Sequence, residues 1–572
     1  MSSDAFRGPR TPVPARIEWS DLAGRFQALQ DEPLEGSDAR AWLIRWSDLE
    51  KELVDYRSRV FNAKSEDTSN SEAEAAFLHF LQGVAPQWQV ASQALREKVI
   101  AAPSFDPGAE NREWYRAVRN QASLYRVENV ALQSEAAQVA NEYSNVAGAW
   151  TVELDGLELT VPQAQQRLLE PDRELRERAW RAMEERKGRD RATLDDIFLR
   201  LVGLRRRIAA NAGEPDFRAY TFKALNRFDY GPDDAIRYQE AIASEVVPVL
   251  ARLREERREQ MGVESLRPWD IQVDPLSRPP LKPFASVVEL EEGLSRIFRT
   301  LDPELAAIWD GMREAGTLDL EPRKSKVPGL GYSTNLPVTN QAYIYWSAVG
   351  TDRDVSVMLH EAGHAFHFVL SMRAQPHAWN ALSAIEFAEV GSQGMELLAL
   401  PYLGKDAGGF YDAEDAGRWR LSLLESVLLQ MAMPARGDAF QNWVYTEAPE
   451  DLTGEQLDAK WLELTEKYAP GIDYGGLEAE VARGWQAIGH FYATPFYYIE
   501  YGLAWLGALQ LWRNSLTDRE GALRQYKEAL ALGGTRGVRE LFEALGASFR
   551  IDRETIGGLA RFLEEQIALA KT

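Results

Sequence analysis

His360, Glu361 and His364, within LHEAGHAFHF at residues 359–368, have the spacing of a metal site with its own base. On a helix of 3.6 residues per turn, His360 and His364 stand about 40° apart on one face and about 6 Å apart along the axis, so both rings can reach one ion at ~2.0–2.1 Å. Glu361 lies to the side of that pair, where its carboxylate can take a proton from a water activated by the ion without competing as a ligand. The chemistry this arrangement suits is hydrolysis of a peptide bond. The chain has six histidines in 572 residues. Against that background the motif would arise by accident on the order of once in two hundred such sequences.

A third ligand is required. His367 shares the face but lies ~10 Å along the axis from His360, too far for both to hold one ion, and reads as a supporting donor or a packed helix residue. Position 370 is Leu370 and position 367 is not glycine, so the longer motif that brings in a third histidine fails. No cysteine occurs, which leaves carboxylates as the remaining ligands and excludes disulfides and thiolate chemistry. The following segment, SAIEFAEVGSQGMELLAL at 383–400, offers Glu386, Glu389 and Glu396 on one polar stripe with Gln393. Spacing does not choose among the three. Two neutral imidazoles and one carboxylate would leave the ion net positive, with an open position.

Negative charge developing on a carbonyl oxygen needs a further donor. The segment GHFYATPFYYIEYGLAWLGALQLW, 489–512, carries His490, Tyr497, Tyr498 and Tyr501, with Pro495 placed to open an apolar helix. Tyr498 and Tyr501 are three apart and Tyr497 and Tyr501 four apart, so they share a face. Such aromatic clusters are more often core than catalytic, but four polar tips in a buried stretch each demand partners.

The elements that must position these groups are mostly helical. Thr351 with Asp354 three residues on is a capping signal for a buried helix carrying the histidines. Before it, PGLGYSTNLPVTNQAYIYWSAVG, 328–350, reads as a glycine-rich start and a short hairpin ending in an apolar strand at Ala342–Ser347. An edge strand there would offer free backbone to an extended peptide, and a buried strand would not; the sequence weighs the two equally. From Trp19 to Glu142 the pattern is of long amphipathic helices. WTVELDGLELTV, 150–161, is a hairpin about Asp155-Gly156, helices resume through RREQMG, and the proline-rich 266–284 reads as an ordered crossing loop. YKEALALGG resembles one turn of a helical repeat but has no partners at regular spacing. These features divide the chain into a disordered tail at 1–16, a helical region at 17–149 and a catalytic region at 150–572.

The net charge of −23 and the lack of any large basic block argue against nucleic-acid binding. The most basic run, Leu204-Arg205-Arg206-Arg207, reads as a solvated helix face. The first sixteen residues lack the apolar stretch of a secretory signal, and no window approaches ~18 apolar residues, so a cytoplasmic protein without a membrane partner is expected.

Taken together, these blocks resemble the M3 oligopeptidases, the family of thimet oligopeptidase and neurolysin, and in particular the oligoendopeptidase F and Pz-peptidase branch. HEAGHAFH is similar to that family's HExGHxxH, FAEVGSQGMELL to its F-x-E-x-x-S-Q block, and HFYATPFYYIEYGLAWL to its block of catalytic tyrosines. VELDGLELTVPQAQQRLLEPDRELRERAWRA, LRPWDIQVDP and LDLEPRKSKVPGLGYST resemble the branch upstream. One departure is Leu330, between Gly329 and Gly331, where the family has consecutive glycines. The resemblance implies a mainly α gluzincin fold of two helical lobes around a deep channel, with a small hairpin or sheet next to the HExxH helix. It implies one zinc ion per chain held by His360, His364 and Glu389, with Glu361 as general base. Tyr501 would be the main oxyanion donor and Tyr498 and His490 would assist. Tyr497, Gly331, Tyr343, Ile344 and Tyr345 form the expected substrate-binding set. The implied activity is endopeptidase cleavage of short unstructured peptides by a monomer or homodimer. The alternatives are a metallocarboxypeptidase or dipeptidyl carboxypeptidase on the same site, or a catalytically silent peptide-binding protein.

Overall fold

The structure, a computed structural model, describes residues 11–34, 39–327 and 331–571. Leu330 and the first ten residues therefore lie outside the described part. Among the described residues helices dominate, with two small sheets: an antiparallel pair of β1 (Thr151–Leu154) and β2 (Leu157–Thr160), and a three-stranded sheet of β3 (Leu318–Asp319), β4 (Tyr332–Leu336) and β5 (Gln341–Tyr345) in the order β3-β5-β4. The mainly α expectation is met, with a sheet against the histidine-bearing helix. The β1–β2 turn places Asp155 at φ 52° and Gly156 at φ 78°, the left-handed pair that a two-residue hairpin needs.

The chain forms two units, each woven from separated segments: residues 1–122, 282–416 and 507–549 in the first, and 123–281, 417–506 and 550–572 in the second. The division at 149/150 read from the hairpin thus falls inside the second unit. Local pattern marks where a hairpin starts, whereas unit membership is set by which distant segments bury each other's apolar faces.

In the first unit, the helix Ala39–Glu66 buries Trp42, Trp46, Leu49 and Leu53, and Trp114 stacks on Trp379 at 4.5 Å. Residues 11–16, expected to belong to a free tail, are tied down instead. The Thr11 amide donates to Glu66 Oε2 at 2.8 Å, and Val13 packs on the apolar cluster. A burial and hydrogen-bond pattern of this kind is not visible in a Pro- and Arg-rich composition.

β5 is the middle strand, paired antiparallel with β4 and parallel with β3. The edge reading of this strand is therefore corrected: Tyr343, Ile344 and Tyr345 are buried, with the Tyr343 hydroxyl on Glu66 Oε1 and the Tyr345 hydroxyl on the carbonyls of Ser65 and Val327. Packing under the Ala39–Glu66 helix decided what alternation could not. The segment leading to residue 328 is anchored in the same way, with the Val327 amide on the Ser65 carbonyl at 3.1 Å and the buried Lys326 ammonium on the carbonyls of Asp319 and Trp346. Burial holds the Lys326 pKa down, to about 8, against the pull of Asp319.

In the second unit, Phe198, Phe440, Trp461, Trp485, Phe491 and Tyr492 form one ring cluster. The 266–281 loop is ordered around Asp270, which is fully buried and accepts from Arg173, Arg176 and the Arg267 amide. Arg205 corrects the reading of its basic run. It is buried and donates to the Tyr445 hydroxyl and to the carbonyls of Phe491 and Tyr492, while Arg206 donates to Val444, Ala448 and Pro449 carbonyls. Only Arg207 is solvated. Long aliphatic stems let arginine reach buried carbonyls from a position that a charge pattern assigns to water.

Candidate metal centre and associated side chains

The histidine helix, Asp352–Ala374, opens on the expected capping box. Asp354, fully buried, accepts from the amides of Thr351 at 2.8 Å and Val349 at 3.0 Å, and from Trp346 Nε1 at 2.8 Å. Trp346 in turn fills the space above Gly331: a Cβ there would lie 2.4 Å from the ring. Val355, Met358, Leu359, Ala362, Ala365 and Phe366 anchor the helix in the core and leave His360 and His364 half-exposed on the other face.

The second helix, Ile385–Leu398, crosses the first at very short range, because Gly363 meets Gly391 and Ser392 where neither helix has bulk. Tyr526 supports the crossing by donating its hydroxyl to the Gly391 carbonyl at 2.6 Å. The crossing selects among the three glutamates. Glu389 Oε2 lies 3.4 Å from His360 Nε2 and 3.7 Å from His364 Nε2, and the donor atoms of the three residues all fall within 4.8 Å of one another. Ligand atoms each ~2.1 Å from one tetrahedral ion would be ~3.4 Å apart, so this set fits a zinc ion.

Glu396 has a different place: its Oε1 lies 2.9 Å from His360 Nδ1. That contact would fix the tautomer and leave Nε2 free to face a metal. Sequence reasoning offered Glu396 only as a rival ligand; its spacing of seven from Glu389, two turns along the same face, was the available signal. Burial opposes protonation of His360, but hydrogen bonds to Glu389 and Glu396 outweigh it and raise its pKa well above the imidazole range. Burial lowers that of His364. Glu361 is half-buried beside His360. His367 is a packed residue, buried at 6.1 Å from the Phe387 ring, and burial pushes its pKa to about 3.

In the second unit, His490 is ringed by Tyr497, Tyr498 and Tyr501 with centroids at 5.6, 5.4 and 5.7 Å, and the Tyr501 hydroxyl lies 3.4 Å from His490 Nε2. These four side chains lie together, but the helix starts at Ile499 and not at Pro495. The cause is Phe496, which takes φ 63° and breaks the helical path. Its amide donates to Gln441 Oε1 at 2.7 Å, and its carbonyl accepts from Arg227 Nη2 at 2.5 Å. Arg227 is held by a buried ion pair to Glu500, which also accepts from the Tyr230 hydroxyl. The ring of Tyr498 seats on Gly437, where a Cβ would lie 2.6 Å from its Cδ1. Gln441, Arg227 and Gly437 have no mark in the local sequence.

Comparison with known proteins places this geometry in a lineage. Residues 168–556, more than half of the chain, match the sequence model of Peptidase family M3. Oligoendopeptidase F of Lactococcus lactis subsp. cremoris is 25% identical over 349 residues, covering 56% of this chain and 54% of that protein. An oligoendopeptidase F homologue of Borreliella burgdorferi is 25% identical over 186 residues, covering 32% and 30%. The chain thus spans 30% and 54% of the length of these relatives. Among solved structures, one described as a candidate oligoendopeptidase F superposes with a TM-score of 0.87 at 26% identity over 98% of both chains. Pz peptidase A with an inhibitor shares the fold at a TM-score of 0.87, 24% identity and coverage of 99% and 98%. The motif, the donor set and these matches agree: the chain belongs to peptidase family M3.

Proposed function

We propose that the chain is a zinc-dependent endopeptidase that cleaves internal bonds of short unstructured peptides. The observation that carries this reading is the convergence of His360 Nε2, His364 Nε2 and Glu389 Oε2 beside Glu361 on the same helix. A zinc ion held there would polarise the scissile carbonyl and acidify the attacking water. Glu361 accepts the proton of that water and delivers it to the leaving amine. Glu389 balances the charge, and Glu396 orients His360. Tyr501 donates its hydroxyl to the developing oxyanion, an interaction typically worth ~10²–10³ in rate, while Tyr498, Tyr497 and His490 hold the peptide backbone. Support for these four roles is the family resemblance together with their mutual contacts. Of the segment around the sheet, Gly331 at the start of β4 is proposed to face the peptide; the buried Tyr343, Ile344 and Tyr345 back that strand from within. No helix among the described residues is long and apolar enough to cross a membrane. The cytoplasm is proposed as its location, as a monomer or homodimer.

The test is hydrolysis of a quenched fluorescent peptide of about nine residues, against the same sequence embedded in a folded protein, with chelator and with zinc restored. Cleavage of the short peptide alone, lost to chelator and regained with zinc, is expected. No cleavage of either by zinc-loaded protein would return the chain to the peptide-binding reading.

A further inference from the structure

We infer that Arg436, next to the seat of the Tyr498 ring, forms a receptor for a carboxylate of the peptide substrate. The inference rests on the peptidase reading above and adds a substrate preference to it. Arg436 stands on the long helix Ala413–Thr446 next to Gly437, on which the Tyr498 ring is seated. Its guanidinium lies 4.3 Å above the Trp461 ring and donates once, from Nη1 to Thr465 Oγ1 at 3.2 Å. Its Nε is out of solvent and, among the described residues, without a hydrogen-bond partner. Arg254 is 7% exposed and donates to the Pro470 carbonyl at 2.6 Å.

Among the described residues, neither Arg436 nor Arg254 is ion-paired with a carboxylate: the contacts of Arg436 are Trp461 and Thr465, and that of Arg254 is the Pro470 carbonyl. Elsewhere in the same unit, the buried guanidiniums Arg176 and Arg227 are paired with Asp270 and Glu500, and buried Arg205 spends its donors on a hydroxyl and two carbonyls, whereas the Nε of Arg436 has no acceptor among the described residues. Scarcity is not the reason, because the chain carries 88 acidic residues against 65 Lys and Arg. Contact with an aromatic face offsets only part of what a guanidinium loses when its donors leave water without an acceptor. The imbalance is relieved by an anion that takes the free donors of a planar guanidinium, and a carboxylate is the form in which a peptide brings one. It has two sources, the C-terminus and an acidic side chain.

The experiment uses zinc-loaded full chain and one peptide sequence in paired forms: free acid against C-terminal amide, and Glu against Gln moved along the peptide. KM and kcat are read for the parent, Arg436→Gln and Arg436→Lys, and calorimetry with Glu361→Gln measures binding of each pair without turnover. The expected result is a preference for one carboxylate form, on the order of tenfold in KM and in affinity, abolished in Arg436→Gln and partly kept in Arg436→Lys. A preference confined to the free acid identifies the C-terminus as the source, and one confined to a Glu position identifies the side chain. Equal KM and affinity within both pairs for the parent, or a preference that survives Arg436→Gln, overturns the inference. Failure of the peptidase reading would look different, as absence of cleavage of all four forms; the binding arm then still decides whether the carboxylate is recognised.

Discussion

A Cβ added to Gly363 would lie 2.6 Å from the Cα of Ser392, closer than such atoms approach in folded proteins. The two helices that carry the candidate metal ligands are in contact through backbone at this point. Because the clash is with main chain, no rotamer change relieves it, and Gly363→Ala must push the helices apart. Overpacking of this kind costs ~1–3 kcal/mol. The variant is expected to melt at a lower temperature and to lose zinc on dialysis. Zinc content and melting temperature equal to the parent's would show that the crossing does not set the ligand geometry.

The three glutamates of the second helix are expected to rank clearly in zinc affinity. Glu389→Ala removes a ligand and gives the largest loss. Glu396→Gln weakens the hold on the His360 ring and costs ~10–100-fold, while Glu386→Ala changes little. Titration with a competing chelator reads all three. A Glu386 variant weaker than the Glu389 variant would relocate the site.

Glu361→Gln keeps the size of the side chain and removes its basicity. Full zinc occupancy with turnover reduced by ~10²–10⁴ is expected from steady-state kinetics and metal analysis together. Near-parental kcat would exclude Glu361 as the base.

Glu500 sits far down a chain of support: it holds Arg227, which holds the carbonyl of the left-handed Phe496. Glu500→Gln leaves a fully buried guanidinium without its counter-charge, a change that costs ~3–5 kcal/mol. The expected result is a lower melting temperature with kcat reduced and zinc retained, since the ligands lie in the first unit. If kcat is unaffected in the folded variant, the turn at Phe496 does not serve the tyrosines.

Asp438 gives a pH dependence of definite sign. It is fully buried, accepts from Gln239 Nε2 and Asn442 Nδ2, and burial pushes its pKa up to about 6. Between an unfolded value near ~4 and this folded value, the native state binds the proton that the unfolded chain has released, so its contribution to stability falls as pH rises through this window. Above it the cost is about 3 kcal/mol, at 1.36 kcal/mol per unit. Asp438→Asn avoids this ionisation. Its melting temperature should match the parent's near pH 4 and exceed it at pH 8. An equal difference at both values would rule out titration of Asp438 as the cause.

Much of the candidate site was legible because it is local. His360, Glu361 and His364 depend on helical spacing, and Thr351 with Asp354 on a cap three residues long. The tyrosines and His490 are near one another in sequence and remain so in space. Glu389 and Glu396 share a face, so only the depth of the crossing at Gly363 and Gly391 sets one against both His360 Nε2 and His364 Nε2 and the other against His360 Nδ1. The helix start was misplaced because a left-handed Phe496 is enforced by Gln441 and Arg227, from two separate segments. β5 and Arg205 failed for the same reason: a strand or a charge in sequence does not reveal which distant element covers it.

The interlaced composition of the two units has a consequence for biogenesis. The histidines emerge from the ribosome near the middle of the chain, yet the hydroxyl that supports the Gly391 carbonyl belongs to Tyr526, and the first unit is completed only by residues 507–549. Contacts of such sequence separation are slow to form. A metal held at the proposed site would therefore be captured late in the maturation of this chain, and a nascent chain stopped before residue 507 would carry both histidines and Glu389 without the segment that backs them.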